Sequence, residues 1–70
     1  MDRKPVVSSN LNSVGYDSLS KILEIEFNSG DVYQYLDVPQ FTYEGVVSAS
    51  SAGSYFHQQI KDRYAYRRIG

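Results

Sequence analysis

In the middle of the chain Leu23, Ile25 and Phe27 alternate with Glu24 and Glu26, the two-residue period of a strand with one buried face. Beyond Asn28-Ser29-Gly30 a second β-prone run follows, Val32-Tyr33-Gln34-Tyr35-Leu36. The stretch from Lys21 to Val38 therefore reads as a hairpin. Its loop length matters, because one residue of slip exchanges the two faces of a strand. A two-residue loop at Ser29-Gly30 sets Phe27 opposite Val32 and the glutamates opposite the tyrosines. A three-residue loop, a type I turn closed by Gly30 in the left-handed conformation, pairs Ile25 with Tyr33 and Leu23 with Tyr35. The second is preferred. It gathers Leu23, Ile25, Phe27, Tyr33 and Tyr35 on one apolar face and leaves Glu24, Glu26 and Gln34 facing water.

The flanking segments look built to cover this hairpin. Met1 to Lys4 is a charged, frayed start, and Val6-Val7 adds at most a short extended segment. Leu11 to Tyr16 reads as a first strand, in which Gly15 marks a bulge or a close approach of backbone. Asp17 to Ser20 is turn chemistry. After Val38 the period changes. Pro39 suits the first turn of a helix with Asp37 just ahead, and Phe41, Tyr43, Val46, Val47 and Ala49 form a helical stripe that Gly45 weakens. Ser50-Ser51 breaks that helix and offers an N-cap to the next, about Ala52 to Arg63. There Phe56, Ile60 and Tyr64 recur every four residues with Tyr55 beside them. In the tail, Tyr66 and Ile69 dock and two arginines are exposed. The predicted fold is α+β: a three-stranded antiparallel β-meander with two C-terminal helices packed on one face, as a single domain over residues 1–70.

Composition narrows the picture. A chain of 70 residues is at the size where one core only just suffices, and without cysteine no disulfide or thiolate–metal site supplements it. No metal or cofactor is expected, and the cysteine-free composition points to the cytoplasm. No apolar run approaches the roughly 18 residues that cross a bilayer, so no membrane association is expected. The start, MDRKPVV, lacks the apolar stretch of a signal peptide. A formal net charge of −1 gives no global attraction to nucleic acid. The seven tyrosines stand out; they give the core bulk while their hydroxyls reach its wet edge.

The order VSSNLNSVGYD, LEIEFNSGDVYQYLDVP, SSAGSYFHQQIKDRY resembles the KTSC domain, over about Val6 to Ile69. That family takes its name from the C-terminus of some lysyl-tRNA synthetases and also occurs as a stand-alone small bacterial protein. The marks carrying the resemblance are Tyr33 and Tyr35, then Gly53, Tyr55 and Phe56, followed by Ile60-Lys61. His57 departs from the pattern, standing where the family tends towards Asn. The resemblance implies a structural role for the aromatic marks and, through the company the family keeps, an association with RNA.

No residue pattern points to a reaction, and no enzymatic activity is expected. Glu24 and Glu26 have no pocket, desolvating wall or third group to make them an acid–base pair. His57 is the single histidine and has no natural co-ligands for zinc. Tyr33 and Tyr35 could stack bases on an open sheet, but the register turns them towards the helices. The one chemically pointed cluster is terminal: Lys61, Arg63, Arg67 and Arg68, with Tyr66 interleaved. Cations of this kind neutralise phosphates while aromatics stack bases; the same charges also suit a helix end. The expected function is a small non-enzymatic module binding RNA weakly and salt-sensitively through that cluster. The alternative is a protein-interaction or homodimerisation module using the outer sheet face, where Ile22, Val32 and Leu36 fall, or an edge strand.

Overall fold

A computed structural model of the chain describes residues 1–70. In chain order the elements are β1 (Arg3–Pro5), β2 (Leu11–Asp17), β3 (Ile22–Phe27), β4 (Val32–Tyr35), α1 (Gln40–Ser48), α2 (Ala52–Gln59) and β5 (Tyr66–Arg68). The loop between β3 and β4 is the three-residue one. The Phe27 N–H donates to the Asp31 carbonyl and the Gly30 N–H to the Phe27 carbonyl, both at 2.9 Å. Gly30 has φ +97°, backbone that a side chain rarely tolerates. Ile25 lies opposite Tyr33 and Leu23 opposite Tyr35.

The meander extends further than expected. The sheet has five antiparallel strands in the order β1-β2-β3-β4-β5, not three. The two additions are three-residue edge strands, RKP and YRR. Neither carries an apolar alternation; each forms by pairing backbone with a sheet already in place. The charged start is thus not frayed: Arg3 pairs with Gly15 and Pro5 with Ser13, while Val7 is left exposed. Gly15 marks the close approach, since a Cβ there would lie 2.6 Å from the Asp2 carbonyl oxygen. The bulge falls elsewhere, between Leu11 and Ser13.

Glu24 corrects the expected outer face. It is only 6 % exposed. Arg3 on β1 reaches across the space left by Gly15 to its carboxylate at 2.7 Å. Gln34 Nε2 donates to the other carboxylate oxygen at 2.8 Å, and Arg67 Nε donates to Gln34 Oε1 at 2.9 Å. Arg3, Glu24, Gln34 and Arg67 therefore form one polar row across the sheet. Beside it, Asn12 and Ser13 donate to Glu26, and those hydrogen bonds hold its carboxyl below the usual range.

The helices lie on the other face. Pro39 is the residue before α1, accepting the Thr42 N–H at 3.0 Å, rather than part of its first turn. Thr42 and Val46, one turn apart, face inward, whereas Phe41 is 72 % exposed. Of the expected stripe, Val46 is buried and Tyr43 packs against the core, while Phe41 stays outside it; α2 approaches closely at Gly45, where a Cβ would run into the Tyr55 ring. Ser51 caps α2, its hydroxyl accepting the Ser54 N–H at 3.2 Å. α2 ends at Gln59, short of Arg63, where Ile60 and Lys61 N–H both donate to the Phe56 carbonyl at 2.9 Å and Asp62 turns the chain with φ +64°. Ile60 still enters the core, with Leu11, Val14, Leu23, Ile25, Tyr35, Val38, Val46, Ala52 and Phe56.

Phe56→Ala removes a buried ring that joins helix to sheet, at an expected cost of about 3–5 kcal/mol. In a domain of this size that should abolish cooperative thermal unfolding, and an unchanged melting curve would refute the packing described. A second outcome concerns alkaline pH. Burial, then the neighbouring Tyr33, Tyr66 and Asp62, push the Tyr35 phenol up from 10.0 to about 12. The folded chain keeps a proton that the unfolded chain loses above roughly pH 10. Tyr35 therefore stabilises the fold fully below that pH, and its contribution is lost as pH rises towards 12. Urea midpoints measured from pH 8 to 11 should fall only at the alkaline end, less steeply in Tyr35→Phe. A residual slope should persist, because burial and Asp17 also raise the Tyr16 phenol, which donates to the Val38 carbonyl.

Candidate functional site

Strand alternation splits the terminal basic cluster. Tyr66 pairs with Tyr35, Arg67 with Gln34 and Arg68 with Tyr33. Tyr66 and Arg68 therefore stand on the helix side of β5 and Arg67 on the outer side. Arg67 is engaged in the polar row. Arg68 forms an ion pair with Asp31 at 2.8 Å, and Arg63 Nε donates to the Gln58 carbonyl at 2.8 Å. Of the cluster, Lys61 and Tyr66 are brought together, as walls of one cleft.

The helices leave the β4–β5 margin of their side of the sheet open. The cleft there has a volume of about 340 Å³ and an aromatic floor of Phe27, Tyr33, Tyr35, Phe56 and Tyr66. Phe27, Tyr33, Tyr35 and Phe56 form a closed cycle of ring contacts, with centroids 5.5–6.5 Å apart. Tyr66 adds to it from β5, 5.4 Å from Tyr33 and 5.6 Å from Tyr35. Burial grades across the cluster. Tyr35 and Phe56 are each 5 % exposed, Tyr33 is half-buried, and Tyr66 is 59 % exposed. Asn10, His57, Lys61 and Asp62 complete the wall.

The family marks divide accordingly. Tyr35 and Phe56 belong to the core, Tyr33 bridges core and cleft, and Tyr55 packs between helices against Gly45. Gly53 lies where a Cβ would meet Asn10 Oδ1 at 2.5 Å, so it lets the start of α2 settle on the loop before β2. Asn10 and Asp62 were not legible as wall residues. Asn10 comes from the loop before β2, and Asp62 from a turn that a continued helix would have pointed elsewhere. No group of three metal-ligating side chains is assembled, and no helix is long and apolar enough to cross a membrane.

Comparison with known proteins matches the model of the KTSC domain over residues 7–64. An uncharacterised protein of Stutzerimonas stutzeri is 43 % identical over 70 residues, 99 % of each chain. A lysine–tRNA ligase of Trichormus variabilis is 41 % identical over 54 residues, 77 % of this chain but only 10 % of the ligase. The crystal structure of a KTSC domain protein from Yersinia pestis superposes with a TM-score of 0.95 at 42 % identity, covering 99 % of this chain and 97 % of that one. Matched over most of its length in sequence and nearly all of it in structure, the chain belongs to the KTSC domain family.

Proposed function

We propose that this chain is a small, non-enzymatic, cytoplasmic binding module that takes single-stranded RNA into the cleft between β4, β5 and α2. The observation that carries the reading is Tyr66. It is a largely exposed ring continuous with the buried aromatic cluster and beside Lys61. A ring held rigidly by a core and open on one side is suited to stacking a base, an interaction worth about 1–3 kcal/mol. Lys61 supplies a cation for a phosphate, and Arg68 stands on the same side of β5. That the same domain recurs within a lysine–tRNA ligase, an enzyme named for an RNA, supports the choice of nucleic acid. Affinity is modest in this reading, since the chain is slightly acidic and engages few phosphates.

The alternative, a protein-interaction or homodimerisation module, has less to rest on. The outer sheet face carries the Arg3–Glu24–Gln34–Arg67 row, and Ile22, Val32 and Leu36 are half-buried. Both edge strands are short and charged, which discourages strand addition.

Fluorescent single-stranded RNA titrated at several salt concentrations tests the reading. Lys61→Ala should lower the slope of log affinity against log salt by about 0.7. Arg67→Ala should leave it near the wild-type value. Tyr66→Ala should weaken binding with little change in slope, because stacking releases few counterions. Absence of wild-type binding at low salt would discard the RNA reading in favour of a protein partner.

A further inference from the structure

Asp62 is an odd residue to find in the wall of a cleft meant for a polyanion. Its backbone lies at φ +64°, one of three non-glycine residues with positive φ. Its carboxylate makes no ion pair or hydrogen bond; the two ion pairs of the chain are Arg3–Glu24 and Arg68–Asp31, and the adjacent Arg63 is turned to the Gln58 carbonyl. It is nevertheless close enough to Tyr35 to act on its phenol electrostatically. Asp62 is exposed in the wall of an aromatic-lined cleft; a carboxylate there repels phosphate, and where a ligand displaces its water it favours hydrogen-bond donors.

We propose that Asp62 reads the stacked base, selecting guanine. The proposal rests on the RNA reading above. A carboxylate has two acceptor oxygens and no donor. Of the four RNA bases, guanine alone presents two adjacent donors on its pairing edge, N1–H and the N2 amino group, which a carboxylate accepts in bidentate fashion. Adenine and cytosine offer one amino group flanked by an acceptor nitrogen, and uracil one N–H flanked by carbonyls. Each would leave an Asp62 oxygen facing an acceptor or no partner, a mismatch that rejects the wrong ligand. Lys61, next in the chain and in the same wall, donates only, and so suits guanine O6 or the flanking phosphate. The cleft, at about 340 Å³, has the dimensions of a small ligand site.

The test uses fluorescein-labelled octauridylate and three versions of it with a single central guanosine, adenosine or cytidine, titrated at low salt against the wild type and Asp62→Asn. Asparagine tolerates positive φ and keeps the shape, but replaces one acceptor with a donor. The guanosine oligonucleotide should bind the wild type at least about fivefold more tightly than the others, the lower end of what a bidentate contact discriminates. Asp62→Asn should remove that preference while leaving the other three as tight or tighter, since a negative charge has gone. Equal binding of all four by the wild type, or a guanosine preference that survives Asp62→Asn, overturns the assignment to Asp62 and leaves the RNA reading intact. Failure of every oligonucleotide to bind overturns both.

Discussion

The pairing of Ile25 with Tyr33 and of Leu23 with Tyr35 is the constraint on which the other features of this molecule depend. It follows from three residues in a loop and from the positive φ of Gly30. With one residue fewer, the tyrosines would have faced the glutamates and Val32 would have entered the core. With this register, Tyr35 meets Phe56 under α2 while Glu24 and Gln34 emerge together on the opposite face. Both the aromatic cleft and the polar row are consequences of the same pairing.

The polar row shows how so small a sheet keeps three-residue edges. A buried carboxylate is costly unless paired and hydrogen-bonded. Glu24 meets that demand with Arg3 from one edge strand and, through Gln34, is linked to Arg67 on the other. Gly15 is what lets Arg3 pass over β2. The row satisfies polar groups rather than adding an apolar core, and its effect is to tie two three-residue edge strands to the centre of the sheet.

On the helix side the aromatic cluster runs from core to solvent without a break. Tyr35 and Phe56 are buried, Tyr66 is largely exposed, and Tyr33 contacts both Tyr35 and Tyr66. A platform of this kind is rigid because its inner rings cannot move without opening the core. Of the two interpretations of Tyr33 and Tyr35 along the chain, the structure has the core one, with Tyr35 buried and Tyr33 half-buried, and the most exposed ring of the cluster is Tyr66.

Local pattern was enough to determine the β2–β3–β4 meander, the hairpin register, the Ser51 cap and the inward placing of Tyr35, Phe56 and Ile60. Alternation, turn residues and caps act between residues a few positions apart, so they can be read along the chain. The tertiary structure alone decided the rest. RKP and YRR have no period of their own and became strands only because sheet edges stood ready to pair with them. That pairing sent Arg67 and Arg68 to opposite faces of the sheet, dividing a cluster that is continuous in sequence. Arg3, distant along the chain, buried a glutamate that alternation had assigned to water. The packing of α1 left Phe41 exposed and brought Gly45 against Tyr55, and the end of α2 at Gln59 placed Asp62 in the same cleft wall as Tyr66. Each of these outcomes joins residues that meet only once the chain has folded.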